Sequence, residues 1–295
     1  MRICGLIHMI ELDNRIIGLK CYKHIKFFYF QNSQMNTFKR YLYQDNWIEL
    51  EYEEEPIKKG KFLAYKVESI YNLKAISKLN VITYYDKFEI NRSLYDFLYN
   101  FDNLMFLDLE MTMPPFNFKG KGFKTEMIQA GYEIYNKNMD LVLKYSNYVK
   151  PKINKEISSR TEKFLGITID EFNKTSIPYN DFYKEFNKSL DKYNPAIVVY
   201  GKNDQIVLNE SYDINKKPSL SNKTRYVNLC QIIKTFYGLK NDPGLFKLFS
   251  IYYDNQDTQE HDALVDSEVL RKVFLAFRKD VLEEEYKKTI KKELS

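Results

Sequence analysis

Residues 104–112 read Leu-Met-Phe-Leu-Asp-Leu-Glu-Met-Thr, an apolar run that ends on Asp108 and Glu110 with Leu109 between them. A short, continuously apolar run is the pattern of a strand covered on both faces. Side chains alternate along a strand, so carboxylates two positions apart point to the same side. Acid pairs at this spacing are common on solvated surfaces, but a buried strand has little reason to end on two of them. Two later stretches carry matching groups. Ala196-Ile-Val-Val-Tyr200 is a second apolar strand, followed by the turn Gly201-Lys202-Asn203 and by Asp204 at a helix start, where an acid taken alone is more often a cap. His261-Asp-Ala-Leu-Val-Asp266 lies where a loop enters a helix expected over 263–277, with Asp266 one turn inside. His261 is one of three histidines, with His8 and His24, and a solitary histidine is more often structural than catalytic. Several carboxylates converging with one histidine form the equipment of a two-cation phosphodiester hydrolase.

Taken in order, Asp108-x-Glu110, Asp204 and His261-x-x-x-x-Asp266 resemble the motifs of the DEDDh family of 3′–5′ exonucleases, the DnaQ-like group built on an RNase H-like fold. Glu126-Met-Ile-Gln-Ala-Gly-Tyr132, Tyr148-Val-Lys-Pro151 and Phe164-Leu-Gly-Ile-Thr168 are similar to the branch that holds the ERI-type RNA exonucleases and KapD. The resemblance covers residues 103–278. It implies an α/β domain with a mixed sheet flanked by helices. It also implies that Asp108, Glu110, Asp204 and Asp266 hold two divalent cations, Mg²⁺ or Mn²⁺, and that His261 takes the proton of the attacking water. Backbone groups at Met111 and Thr112 would contact the terminal sugar and phosphate, and nucleoside 5′-monophosphates would leave one at a time from a free 3′ end. Two departures touch substrate preference: the Pro-, Phe- and Lys-rich segment Met113–Lys124 lengthens the loop after the first motif, and Lys202-Asn203 replaces the usual aromatic in the second.

The first 70 residues have a different pattern. Short strands are expected at 3–11, 15–21, 25–30, 47–53 and 62–69, separated by turn residues such as Asp13-Asn14 and Lys59-Gly60. Their order resembles the small OB-fold and cold-shock-like barrels that bind single strands. Between Lys20 and Gln44 stand the cations Lys20, Lys23, Lys26, Lys39 and Arg40 and the rings Tyr22, Phe27, Phe28, Tyr29, Phe30, Phe38, Tyr41 and Tyr43, with no acidic residue. Interleaved rings and cations suit stacked bases and phosphates. About half of these rings must instead build the barrel core, and alternation leaves open whether Phe27 and Tyr29 or Lys26, Phe28 and Phe30 face outward. The cold-shock resemblance favours Phe27 and Tyr29, and Lys26 is carried with them as a binding candidate.

The expected organisation is therefore a small OB-like β-barrel over 1–70, a connector over 71–102 with a helix near 92–99, an α/β exonuclease domain over 103–280, and a charged, solvated helical tail over 281–295. Within the α/β domain, strands are expected near 104–109, 126–135, 142–149 and 196–200, and helices near 168–173, 179–193, 204–210, 227–237 and 263–277. The 295 residues suffice for two domains, and 44% hydrophobic with 29% charged residues of both signs fits buried cores in a soluble globular protein rather than a disordered chain. No apolar run approaches the length of a membrane span, and the start lacks the apolar core and cleavage site of a signal peptide, so a cytoplasmic protein is expected. Three cysteines without Cys-x-x-Cys spacing fit neither a disulfide framework nor a zinc site. A net charge of +5 permits an anionic partner. The leading expectation is an exoribonuclease acting on single-stranded or short RNA. The same chemistry on DNA is the alternative, and a regulatory protein that keeps the fold without turnover is a third reading, against which the intact acids and histidine argue. Oligomeric state is not legible.

Overall fold

The computed structural model describes residues 1–21, 24–77, 80–254, 261–284 and 286–294. These divide into two compact units, Met1–Leu94 and Tyr95–Ser295. Among the described residues no helix is long and apolar enough to cross a membrane.

In the first unit the strands are β1 (Arg2–Glu11), β2 (Ile16–Cys21), β3 (His24–Tyr29), β4 (Trp47–Lys59), β5 (Phe62–Ile76) and β6 (Val81–Asp86), with helix α1 (Asn32–Phe38) between β3 and β4. The order β3-β2-β1-β4-β5-β6 is closed by a parallel pairing of β3 with β5, Phe27 opposite Ala64 and Tyr29 opposite Lys66. Five strands thus form a barrel with no free edge among them, in the order and with the inter-strand helix of an OB-fold, while β6 extends the sheet from β5. Ile7, Ile17, Leu19, Phe28, Phe30, Ile48, Leu50, Val67 and Leu73 fill the interior. The strands run past residue 70, where the connector was expected. β5 continues to Ile76, and β6 pairs with its end before helix α2 (Lys87–Tyr99) begins.

The second unit is built on a sheet of β7 (Asn103–Met111), β8 (Met127–Asn136), β9 (Leu141–Tyr148), β10 (Ala196–Val199) and β11 (Tyr226–Asn228), in the order β11-β10-β7-β8-β9. β7, β8 and β9 are antiparallel, whereas β10 and β11 run parallel to β7. Helices are α3 (Ser159–Leu165), α4 (Ile169–Thr175), α5 (Tyr179–Tyr193), α6 (Asn203–Ile214), α7 (Leu229–Tyr237), α8 (Leu245–Tyr253), α9 (Ala263–Glu283) and α10 (Lys287–Leu294). On β7, Met105, Leu107 and Leu109 share a core with Phe182 and Phe186 of α5 and Leu208 of α6. Alternation turns Phe106, Asp108 and Glu110 the other way, toward α9, where Phe106 meets Phe274 edge-on at 5.3 Å.

Three details differ from the sequence reading. The helix expected from Val227 begins only at Leu229, because 226–228 pair with β10 as a strand. α3 and α8 were not foreseen; both are short, and α8 is too evenly apolar to show a helical period. The tail over 281–295 is docked rather than solvated. Val281 and Ile290 are fully buried and Glu293 pairs with Lys247 of α8, although Glu285 and Ser295 lie outside the described residues.

Candidate active site

Asp108 and Glu110 reach the α9 side at the carboxyl end of β7, opposite Gly131 and Gln129 of β8. Gly131 is the reason α9 can come so close. A Cβ at this position would stand 2.2 Å from the carbonyl carbon of Ala263 and from Leu264 N, so the first turn of α9 lies directly on the sheet backbone beside Asp108. Gln129, almost wholly buried, fastens the same turn. Its Nε2 donates to Asp262 Oδ2 at 2.8 Å and its Oε1 accepts from Ala263 N at 3.3 Å, while Asp262 Oδ1 accepts from Leu264 N and Val265 N as the helix cap. Asp266, buried one turn in, then faces the two β7 acids.

Asp204 arrives from the other side. β10 ends at Val199 beside β7, Gly201 turns the chain at φ +98°, and α6 starts at Asn203. The backbone N–H groups of Asp204 itself and of Leu109 lie near its carboxylate and favour its charged form, which puts the group beside the end of β7.

The result is a crowd of carboxylates, and the neighbouring charges that act most on it are carboxylates too. Asp108 is held well above the usual carboxylate range by burial and by Asp204, Asp266, Glu110 and Asp262. Glu110 is pushed up to about 8 by burial and then by Asp266, Asp204 and Asp262; Asp204 is pushed up to about 7, chiefly by burial. Ligand atoms of Glu110, Asp266 and His261 lie within 4.8 Å of one another. Buried oxygens that repel each other are suited to hard divalent ions.

His261 is half-buried, and burial pulls its imidazole below the ordinary value, so the ring is neutral and able to take a proton near pH 7. Its backbone is left-handed at φ +54°. Phe164 of α3 stacks on the imidazole, with 3.7 Å between ring centres, and Nδ1 is buried without a hydrogen-bond partner among the described residues. Gln129, Asp262 and Phe164 were given no role from the sequence, although Gln129 and Phe164 lie in stretches that carry the family resemblance and Asp262 is an acid directly before an expected helix.

The substrate-contact expectations fare unevenly. Thr112 is buried with its N–H donating to Glu126 O at 2.8 Å and its Oγ1 accepting from Glu126 N at 2.9 Å, so its backbone N–H is already engaged while its hydroxyl proton is not used by these bonds. Met111 is half-buried at the strand end, just past the register shift after Glu110. Glu126 itself is committed to structure, its carboxylate accepting from the backbone N–H groups of Lys152, Ile153 and Asn154.

In the barrel, Phe28 and Phe30 are buried inside, which leaves Phe27 and Tyr29 on the outer face. There they pack with Ile16, Phe62 and Ala64, and Lys59 lies 4.8 Å over Tyr29. Lys26 does not join them. It has the inward parity of Phe28, its Nζ donates to Tyr52 OH at 2.7 Å and it lies 4.1 Å over Tyr65, so the outer cations are Lys59 and Lys61 instead. Tyr22 and Lys23 lie outside the described residues.

No protein-family model matches the chain. A curated protein of Bacillus subtilis (strain 168), the probable 3′-5′ exonuclease KapD, is 28% identical over 179 residues, spanning 61% of this chain and 86% of that protein. Among solved structures, the 3′-exonuclease that recognises the histone mRNA stem-loop superposes with a TM-score of 0.53 at 18% identity, over 61% of this chain and 83% of that one. The nuclease domain of 3′hExo, a DEDDh family member bound to rAMP, gives 0.53 at 19% identity over 61% and 94%. The chain is similar to the DEDDh exonucleases in sequence motifs, and the similarity extends to the fold.

Two outcomes follow from this geometry. Gly131→Ala forces the first turn of α9 off β8, an overpacking that costs about 1–3 kcal/mol; urea denaturation should show it, and unchanged stability would contradict the close seating. Glu110 and Asp204 hold their protons more tightly folded than unfolded. Without added cation the protein therefore loses stability as pH rises from about 4 through about 8, because the folded state binds more protons across that window. Melting curves in EDTA at stepped pH should fall through this range, Glu110→Gln should flatten the fall, and Mn²⁺ should reverse it.

Proposed function

We propose that the chain is a cation-dependent 3′–5′ exonuclease whose substrate is single-stranded or short RNA. The observation that carries this reading is the convergence of Asp108, Glu110, Asp204 and Asp266 with a neutral His261 at the carboxyl end of β7. These four acids would hold two divalent cations of the Mg²⁺ or Mn²⁺ class, which when bound supply charge neutralisation at the scissile phosphate and acidify a water. The chain's own part is to hold those acids together and to accept the water's proton at His261. Phe164 keeps the imidazole plane fixed while it does so. The acids favour attack on an anion only once their own charge is offset, so turnover requires the cation. Preference for RNA draws support from the RNA-directed names of the histone mRNA exonuclease and the rAMP-bound nuclease domain, and from the OB-type barrel, whose outer face offers Phe27 and Tyr29 beside Lys59.

The test is incubation of purified protein with 5′-labelled single-stranded RNA and with the matching DNA, in Mg²⁺, Mn²⁺ or EDTA. A cation-dependent ladder that shortens from the 3′ end faster on RNA is expected, with faster shortening of DNA selecting the alternative. Asp108→Ala should lower the rate by at least about a thousandfold without loss of fold, in keeping with loss of an ion-holding carboxylate. An undiminished rate in that variant rejects the assignment.

A further inference from the structure

Between β7 and β8 the chain leaves the sheet as the loop Met113–Lys124, Met-Pro-Pro-Phe-Asn-Phe-Lys-Gly-Lys-Gly-Phe-Lys, with three lysines and no acidic residue. Its rings are not core. Phe116 is 65% exposed and Phe118 43%. Phe118 has a local reason to be there, since it packs edge-on against Phe123 at 5.7 Å and covers Gly120. Phe116 has no aromatic partner among the described residues; the group beside it is the Arg160 guanidinium, 6.0 Å from its ring centre. Arg160, Lys119 and Lys121 are exposed and form no ion pair among the described residues.

The loop is nevertheless rooted at both ends. Met113 N donates to Thr161 Oγ1 at 2.9 Å and Met113 O accepts from Ser158 Oγ at 2.8 Å, which ties its start to the first turn of α3. Lys124 pairs with Glu210 at 2.8 Å and its carbonyl accepts from Asn154 Nδ2. α3 also connects this start to the acid cluster. Arg160 and Phe164 stand four residues apart and so share one face of the helix, and Phe164 stacks on His261. The exposed Phe116 ring and the Arg160 guanidinium thus lie next to each other, and Phe164, one turn further along α3, links that helix face to His261.

We propose that Phe116 and Arg160, with Lys119 and Lys121, grip the strand just upstream of the 3′ end that is cut. This rests on the exonuclease reading and names its substrate class further: an unpaired tail of several nucleotides, rather than a mononucleotide ester or a paired end. An unpaired base offers a ring face to Phe116, and its flanking phosphates suit the guanidinium and ammonium groups. A base inside a duplex has both faces covered by its neighbours.

The experiment uses the full chain in two assays. One follows steady-state hydrolysis of a short oligoribonucleotide, a hexamer, and the other hydrolysis of a p-nitrophenyl ester of thymidine 5′-monophosphate, which has no upstream strand. Phe116→Ala and Arg160→Gln should each raise KM for the hexamer on the order of tenfold while the ester is cleaved at the unaltered rate, and Phe116→Tyr should restore the hexamer KM. Lys119→Gln with Lys121→Gln should lessen the salt dependence of the hexamer KM. Unchanged hexamer KM in both single variants, or a parallel fall in ester and hexamer rates, overturns the proposal. A wild-type chain that cleaves neither substrate with cation present instead rejects the exonuclease reading. Melting curves identify any variant that fails to fold, and the exposed lysine pair, whose replacement disturbs no packing, then decides.

Discussion

The seating of α9 on the backbone of Gly131 is the constraint from which the rest of the second unit follows. Most helices cover a sheet at a distance set by side chains on both. Here one of those layers is missing at a single point, so the start of the helix descends to the level of the strand. That descent converts two acids on β7 and one on α9, far apart in sequence, into neighbours. The buried amide of Gln129 reinforces it by engaging the helix cap and the first helical N–H with its two ends. A neutral side chain suits that position: it can donate to Asp262 without adding a further negative charge to a cluster that already repels itself.

That repulsion is a cost carried by the folded chain, and the surrounding packing offsets it. β7 is flanked on both sides by paired strands, its apolar face is locked to α5 and α6, and Phe106 anchors it to Phe274. A sheet centre is the stiffest place available for charged groups that would otherwise drift apart. The barrel solves a different problem with comparable economy. Its parallel β3–β5 pairing joins residues that are distant along the chain, and this one contact closes the barrel and sorts rings into interior and exterior sets.

Much of this was legible from residues alone. The apolar runs before Asp108 and before Gly201 marked the central strands, the span of α5 was read to its ends, and the strand pattern of the first 70 residues indicated a barrel. The hidden parts are those that depend on three-dimensional neighbours. A period of two cannot say which set of alternating rings faces inward, so Phe27 and Tyr29 were favoured as outward by resemblance alone, and Lys26, which shares the parity of Phe28, was carried with them although it turns inward to Tyr52. Nothing in the chain order shows that the backbone N–H of Thr112 is engaged by Glu126. Gln129 and Gly131 are ordinary strand residues until α9 is laid over them, and Phe164 gains significance only through its contact with His261. The acids were easier to find because their chemistry limits what they can be doing together.

His261 illustrates how the chain trades one property for another. It holds a left-handed backbone, φ +54°, that glycine would adopt without penalty and that a residue with a β-carbon occupies at a cost on the order of 1 kcal/mol. Backbone preference alone would favour glycine or asparagine here, so the imidazole occupies a place where its side chain is held at a conformational cost to the chain.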